Sequence, residues 1–167
     1  MKLLSYSLVA ILLSVFSLTT ANAGTVSVEW TNPDDYRDIR PTNESRKRFK
    51  ERTFKDLEQF VTKLAAELPQ GYELKLNVTN LDLAGNVEFG RTQQIRIVRQ
   101  IHFPSIEFDY QLIDGNSQAV ASEQVSLKDM NFLHHIKSNL LSKSLGYEKR
   151  MLKEWFNKTF AEQIQKT

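Results

Sequence analysis

Two aspartates stand where carboxylates could meet: Asp82 in Leu81-Asp82-Leu83-Ala84-Gly85, and Asp129 in Asp129-Met130-Asn131. If they converged in a cleft with a raised pKa, they could serve a small hydrolase as general acid and base. Asp34, Asp35 and Asp38 cluster in an early loop and add oxygens that could suit a hard cation. No calcium-loop spacing of alternating Asp/Asn with a central Gly and a distal Glu accompanies them. Turn and cap chemistry, which Asp and Asn perform routinely, accounts for these carboxylates more simply.

Other chemistries lack their signatures. The chain has no cysteine, so disulfides, thiol catalysis and thiolate metal sites are excluded. No Gly-x-Ser-x-Gly elbow and no Gly-x-x-x-x-Gly-Lys phosphate loop occurs. His134 and His135 are adjacent, and neighbours on a helix point about 100° apart, poorly placed to share one metal. His102 is the only other histidine. The residues imply no metal and no cofactor.

Electrostatics is the strongest oddity. Arg46, Lys47, Arg48, Lys50 and Arg52 crowd the start of a long helix. Cations there oppose the helix dipole, and Arg46/Lys50 and Arg48/Arg52 are like-charge pairs at four-residue spacing. Two explanations compete. The acidic loop of Asp34, Asp35, Asp38 and Glu44 could fold back and neutralise them. Alternatively, the cations are an interaction surface for an envelope protein or an anionic envelope polymer. A second basic group, Arg91, Arg96 and Arg99, lies on and before a strand; ideal alternation sends Arg96 and Arg99 to opposite sides.

The elements that must position these residues follow from periodicity. Thr25–Trp30 alternates as a strand, and Thr31–Asn43, with two prolines, is a loop. Ser45–Leu68 carries apolar residues at three- and four-residue steps and is closed by Pro69-Gln70-Gly71. Tyr72–Leu83 alternates with a phase change near Asn80, and Gly85-Asn86 ends it. Ile95–Phe103 reads as another strand, interrupted by Pro104. Ile106–Ile113 and Ala119–Leu127 form a hairpin about Asp114-Gly115-Asn116-Ser117. A short helix over Phe132–Leu141 and a closing helix over Tyr147–Ile164 complete the chain. The expectation is a two-layer α+β domain: a mixed or antiparallel sheet of about four to five strands, with two main helices burying their stripes against it. Phe49, Phe60, Phe108, Tyr110, Trp155 and Phe156 fall on core-facing stripes, so they fill a core rather than stack on bases or sugars.

The first residues set the compartment. Lys2, the apolar stretch Leu3–Leu18 and Ala21-Asn22-Ala23 read as a cleavable signal peptide with the cut between Ala23 and Gly24. The apolar run is short for a membrane span, and no cysteine follows it for lipid attachment. Loss of Lys2 leaves the charge nearly balanced, which gives no argument for nucleic acid. A cysteine-free exported chain without a transmembrane segment fits the periplasm, or secretion, from a bacterium.

The pieces Trp30-x-x-Pro33-x-x-Tyr36-x-Asp38-Ile39, Leu81–Gly85, Ile95–Arg99 with Pro104, Asp129-Met130-Asn131 and Tyr147–Leu152 with Trp155-Phe156 run in order through the chain. In them the chain resembles a family of secreted proteobacterial proteins catalogued as a domain of unknown function, number three thousand and sixteen. The resemblance implies the compartment and a single domain from Gly24 to Thr167, and no activity. The residues therefore point to a non-enzymatic envelope binding module, oligomeric state open. A hydrolase using Asp82 and Asp129, or a binder of a small apolar ligand held between sheet and helices, are the alternatives.

Overall fold

A computed structural model describes residues 23–90, 92–134, 139–140 and 142–165. The apolar stretch Leu3–Leu18, Ala21, Arg91, His135 and part of the expected short helix lie outside the described residues.

Strand β1 (Thr25–Trp30) leads through a loop into helix α1 (Arg46–Ala65), which returns the chain to β2 (Glu73–Asp82). β1 pairs parallel to β2, because the helix carries the chain back to its starting end. β5 (Ser105–Ile113) pairs antiparallel to β2, and β6 (Ala119–Lys128) antiparallel to β5, giving the order β1-β2-β5-β6. Between β2 and β5 stands a separate two-stranded hairpin, β3 (Asn86–Phe89) with β4 (Gln94–Ile97). A single 3₁₀ turn, Phe132–His134, precedes α2 (Gly146–Thr159) and the short α3 (Ala161–Ile164). The architecture is α+β with a four-stranded mixed sheet and two main helices.

One sheet face is apolar and the other polar. Leu74, Leu76 and Val78 of β2 and Ile106, Phe108, Tyr110 and Leu112 of β5 are buried. α1 contributes Leu57, Val61 and Leu64 to the same core, and α2 contributes Leu152, Trp155 and Phe156. Trp155 meets Phe108 and Tyr110 edge-on, at 4.8 and 5.4 Å between ring centres. Edge-to-face geometry sets the electropositive rim of one ring against the π face of the next. The space between sheet and helices is filled: the void bounded by Val28, Trp30, Leu57 and Phe108 is about 10 Å³. Among the described residues, that void is far below the several hundred Å³ an enclosed site for a small apolar ligand needs.

A bulge shifts the register of β2 between Val78 and Asn80. Beyond it the buried positions become Leu81 and Leu83, so the phase change expected near Asn80 is a real geometric step. Tyr36, from the first loop, donates its hydroxyl to the Val78 carbonyl at 2.7 Å. Burial pushes that phenol up to about 12. Tyr36→Phe is expected to lower stability by about 1 kcal/mol and the Tm by about 3 °C. Calorimetry checks this; an unchanged Tm means the bulge carbonyl is satisfied without the phenol.

Three boundaries differ from expectation. The strand expected at Ile95–Phe103 stops at Ile97, because its partner β3 offers only four residues to pair with. The chain then turns, His102 N–H bonding to the Arg99 carbonyl (2.9 Å), and leaves Ile101 74% exposed. β3 itself departs from the expectation, in which Gly85-Asn86 end the preceding strand and no strand lies between them and Ile95. The turn is there, with Gly85 at φ +83, but the chain leaves it extended. The closing helix breaks at Phe160 (φ −110, ψ 21), whose buried ring is held in the core while the backbone leaves the helical region.

Candidate functional site

β-sheet register assembles a polar group on the open face at one end. Asp82 pairs with Ser105, and Ser105 with Lys128, so three adjacent strands present them on one rung. The next rung holds Asn80 and Glu107. The first loop brings Arg37, Asp38 and Arg40 to the side of this group, and the turn after β4 brings Ile101, His102 and Phe103. Together they enclose a cleft of about 480 Å³.

The charges in this cleft are not equivalent. Asp38 is buried and binds Arg96 at 2.6 Å. The same guanidinium donates to the carbonyls of Gly85 and Arg40, each at 3.1 Å. Arg96 thus ties β4, the first loop and the β2–β3 turn into one wall, and Asp38 is committed to that wall. Behind it, Glu148 of α2 is 3% exposed and accepts the Ala84 N–H at 2.7 Å. Burial holds the Glu148 carboxyl above its ordinary range. Asp82 is free of such ties among the described residues. Its carboxyl is also raised, first by burial and then by the negative charge of Asp38, while Arg37, Arg96 and His102 pull the other way. Arg37, Arg40 and Lys128 are exposed and make no ion pair among the described residues. The cleft therefore offers three uncommitted cations against Asp82 and Glu107.

The remaining sequence candidates lie elsewhere. Asp129 follows Lys128 but does not line the cleft. Its carboxylate accepts the Asn131 N–H (3.1 Å) in a tight turn and takes the buried guanidinium of Arg150, which also holds Glu154 at 2.8 Å. Asp82 and Asp129 occupy separate environments and are no acid–base pair. Arg99 follows the hairpin and is paired back to it, through both its terminal nitrogens, with Glu88 of β3 at 2.7 and 3.1 Å. Arg96 and Arg99 do not form one patch. Among the described residues no group of three His, Cys, Asp or Glu could hold a metal ion. No helix among them is long and apolar enough to cross a membrane.

The acidic loop supplies counter-ions to the basic helix start. Lys50 meets Asp34 at 2.5 Å and Arg52 meets Glu44 at 2.5 Å. Arg46 donates to the Asp34 carbonyl at 3.2 Å. The hydrogen bond and charge of Lys50 hold the Asp34 carboxyl below its usual range. Ser45 caps the helix by accepting the Arg48 N–H (3.3 Å), which offsets part of the misplaced positive charge. Lys47 lies 4.0 Å from Glu51, and the exposed Arg48 side chain has no acidic partner among the described residues. Neutralisation therefore falls on Lys50 and Arg52 rather than on Arg48.

Residues 24–158 match the family model described as "Protein of unknown function (DUF3016)". The chain belongs to that family. No curated protein and no solved structure matches it. The DUF3016 match starts at Gly24, where the described chain first becomes buried. It spans every element that lines the cleft, from Arg37 to Lys128, and α2 behind it.

Sequence reasoning missed Arg37, Arg40, His102 and Lys128 as partners in one site. They come from three segments with no shared periodicity, and only the β-register and the folded loop bring them to Asp82. The available signal was weak: the open-face positions of β2, β5 and β6 end in polar residues at the same rung.

Proposed function

We propose that this chain is an exported binding module of the bacterial cell envelope, and that its contact surface is the polar cleft rather than the start of α1. The ligand is polar and carries an anionic group, as an envelope polymer does. One observation carries this: Arg37, Arg40 and Lys128 converge on the cleft without ion-pair partners among the described residues, while Lys50 and Arg52 of the helix are already neutralised. Unpaired cations in a concave site lower the desolvation penalty for an incoming anion and steer its approach. Catalysis by paired carboxylates finds no support, since Asp38 is held by Arg96 and Asp129 by Arg150.

Export is supported by Lys2, the apolar run and Ala21-Asn22-Ala23. Gly24 adds an observation. It is buried, and a Cβ there would stand 2.6 Å from the Ala65 carbonyl oxygen. Its nitrogen donates to the Leu68 carbonyl at 3.2 Å, beside the C-terminal end of α1. An ammonium created there by cleavage after Ala23 would meet the favourable end of the helix dipole. Protein from the osmotic-shock fraction of expressing cells is expected to begin at Gly24 by N-terminal sequencing. An intact Met1 in the membrane fraction would overturn export by cleavage.

The cleft is tested by co-sedimentation with isolated peptidoglycan sacculi and with lipopolysaccharide. Arg37→Ala/Arg40→Ala/Lys128→Ala is expected to weaken binding at least about tenfold, one such factor being 1.4 kcal/mol. Lys47→Ala/Arg48→Ala is expected to bind as wild type. The reverse order places the surface on α1, and no binding of either polymer by wild type rules out an anionic envelope polymer as ligand.

A further inference from the structure

Among the described residues, β6 is a long sheet edge without the usual guards. Edge strands are protected by prolines, by charge, by bulges or by shortness, since an open row of N–H and C=O groups recruits another strand. β6 has ten residues, no proline, and only Glu123 and Lys128 as charged side chains. Its one irregularity lies at Val120, where Leu112 and Ile113 of β5 pair with Ala121 and Ala119. The opposite edge, β1, has six residues.

The outward backbone groups of β6 can be assigned. Asp129 N–H donates to the Pro104 carbonyl at 3.2 Å, in register with the Ser105–Lys128 pair. In an antiparallel ladder the bonded pairs alternate, so Leu127, Val125, Glu123 and Ala121 direct their polar groups at β5. Ser122, Gln124, Ser126 and Lys128 direct theirs at the free edge. Along this edge runs a groove of about 670 Å³ between β6 and α2, bordered by Val125, Met151 and Trp155 and by Glu123, Glu154 and Lys158.

The geometry points to a second copy of this chain as the occupant, adding its own β6 antiparallel about a two-fold axis at Gln124. Outward residues must pair with outward residues, which restricts the axis to one of a few central positions. An axis at Glu123 sets two glutamates directly opposite each other. At Gln124 the strand is complementary to itself: Gln124 faces Gln124, Ser122 faces Ser126, and Ala121 faces Leu127. Glu123 then lies opposite Val125 of the copy, its carboxylate in a groove that holds Lys158. Self-complementarity of one patch is what an isologous two-fold contact requires. The product is one eight-stranded sheet with both clefts on its open face. Val120 of each copy comes beside Lys128 at the rim of the other's cleft. This inference is independent of the ligand proposed for the cleft.

Light scattering on the protein produced from the full-length chain is expected to give twice the chain mass at tens of micromolar. Gln124→Pro removes an N–H that β5 does not use, so it should yield a folded monomer whose Tm falls only by the dimer's concentration-dependent share. Val125→Pro removes one that β5 does use and should lower the Tm. With no native cysteine, Gln124→Cys is expected to form a disulfide-linked dimer on mild oxidation, since bonded antiparallel pairs hold Cα atoms about 5.5 Å apart. Ser122→Cys alone should not, whereas Ser122→Cys/Ser126→Cys should. A monomer that resists cross-linking at Gln124→Cys overturns the inference. So does a dimer indifferent to Gln124→Pro, or a monomer that takes up a foreign extended peptide along β6.

Discussion

Arg96→Ala is expected to destabilise the protein by about 3 kcal/mol, the lower end for breaking a buried ion pair by removing one partner. For a domain of this size that is a Tm lower by about 10 °C. Asp38 would remain, 7% exposed and without its counter-charge. The carbonyls of Gly85 and Arg40 would lose their donor as well. The loss is local before it is global. β3 and β4 pair only with each other, so the Arg96 guanidinium is a principal tie between that hairpin and the first loop. Amide exchange over Asn86–His102 should therefore accelerate more than exchange in β2 or β5. Arg96→Lys keeps the charge but not the planar fork that reaches a carboxylate and carbonyls together, and should recover only part of the stability. Uniform acceleration of exchange across the whole chain would show that the hairpin is held by something else.

The second large effect centres on Glu148. Glu148→Leu removes the acceptor for the buried Ala84 N–H and should destabilise the fold by about 2 kcal/mol. Glu148→Gln keeps an acceptor oxygen and removes the ionisation, and its effect depends on pH. The folded-state pKa of Glu148 is raised above its ordinary 4.5. A group of this kind contributes stability that is fully present below the ordinary value and is lost as pH rises through the raised one. The stability difference between Glu148→Gln and wild type should thus shift in favour of the variant as pH rises above the ordinary value and level off once pH passes the raised one. Denaturation midpoints at several pH values measure this directly. A difference independent of pH would mean that Glu148 ionises as freely in the fold as out of it.

Much of the fold was legible because its signals are local. Trp30, Leu57, Leu76, Phe108 and Phe156 announce their core positions by period two or by period three to four, and burial follows that pattern. The phase change near Asn80 was visible for the same reason. β3 was not, because its four residues alternate too briefly and Gly85 before it carries a genuine turn. Ile95–Phe103 alternates well and yet pairs only to Ile97, since pairing needs a partner of matching length and β3 has none to give. The cleft was least legible. Asp82 and Asp38 were singled out, but nothing local to Arg96 says that it will reach 58 positions back to Asp38. Glu148, Lys149 and Arg150 are all buried within one turn of α2, a placement that charged residues reach only through specific partners. Those partners, at Ala84, Asp56 and Asp129, lie in remote parts of the chain.

The bulge in β2 makes the strand a text in two reading frames. Before Thr79 the even-numbered positions enter the core; after it the odd-numbered ones do. Thr79 is the extra letter between the frames: it has no register partner on β5, so removing it would let Val78 and Asn80 run on as one regular strand, with Asn80 and Asp82 still on the open face and Leu81 and Leu83 still in the core. Along β2, then, the bulge is where the chain can lose a residue and keep both faces intact, and natural variation in length should fall there rather than elsewhere in the strand.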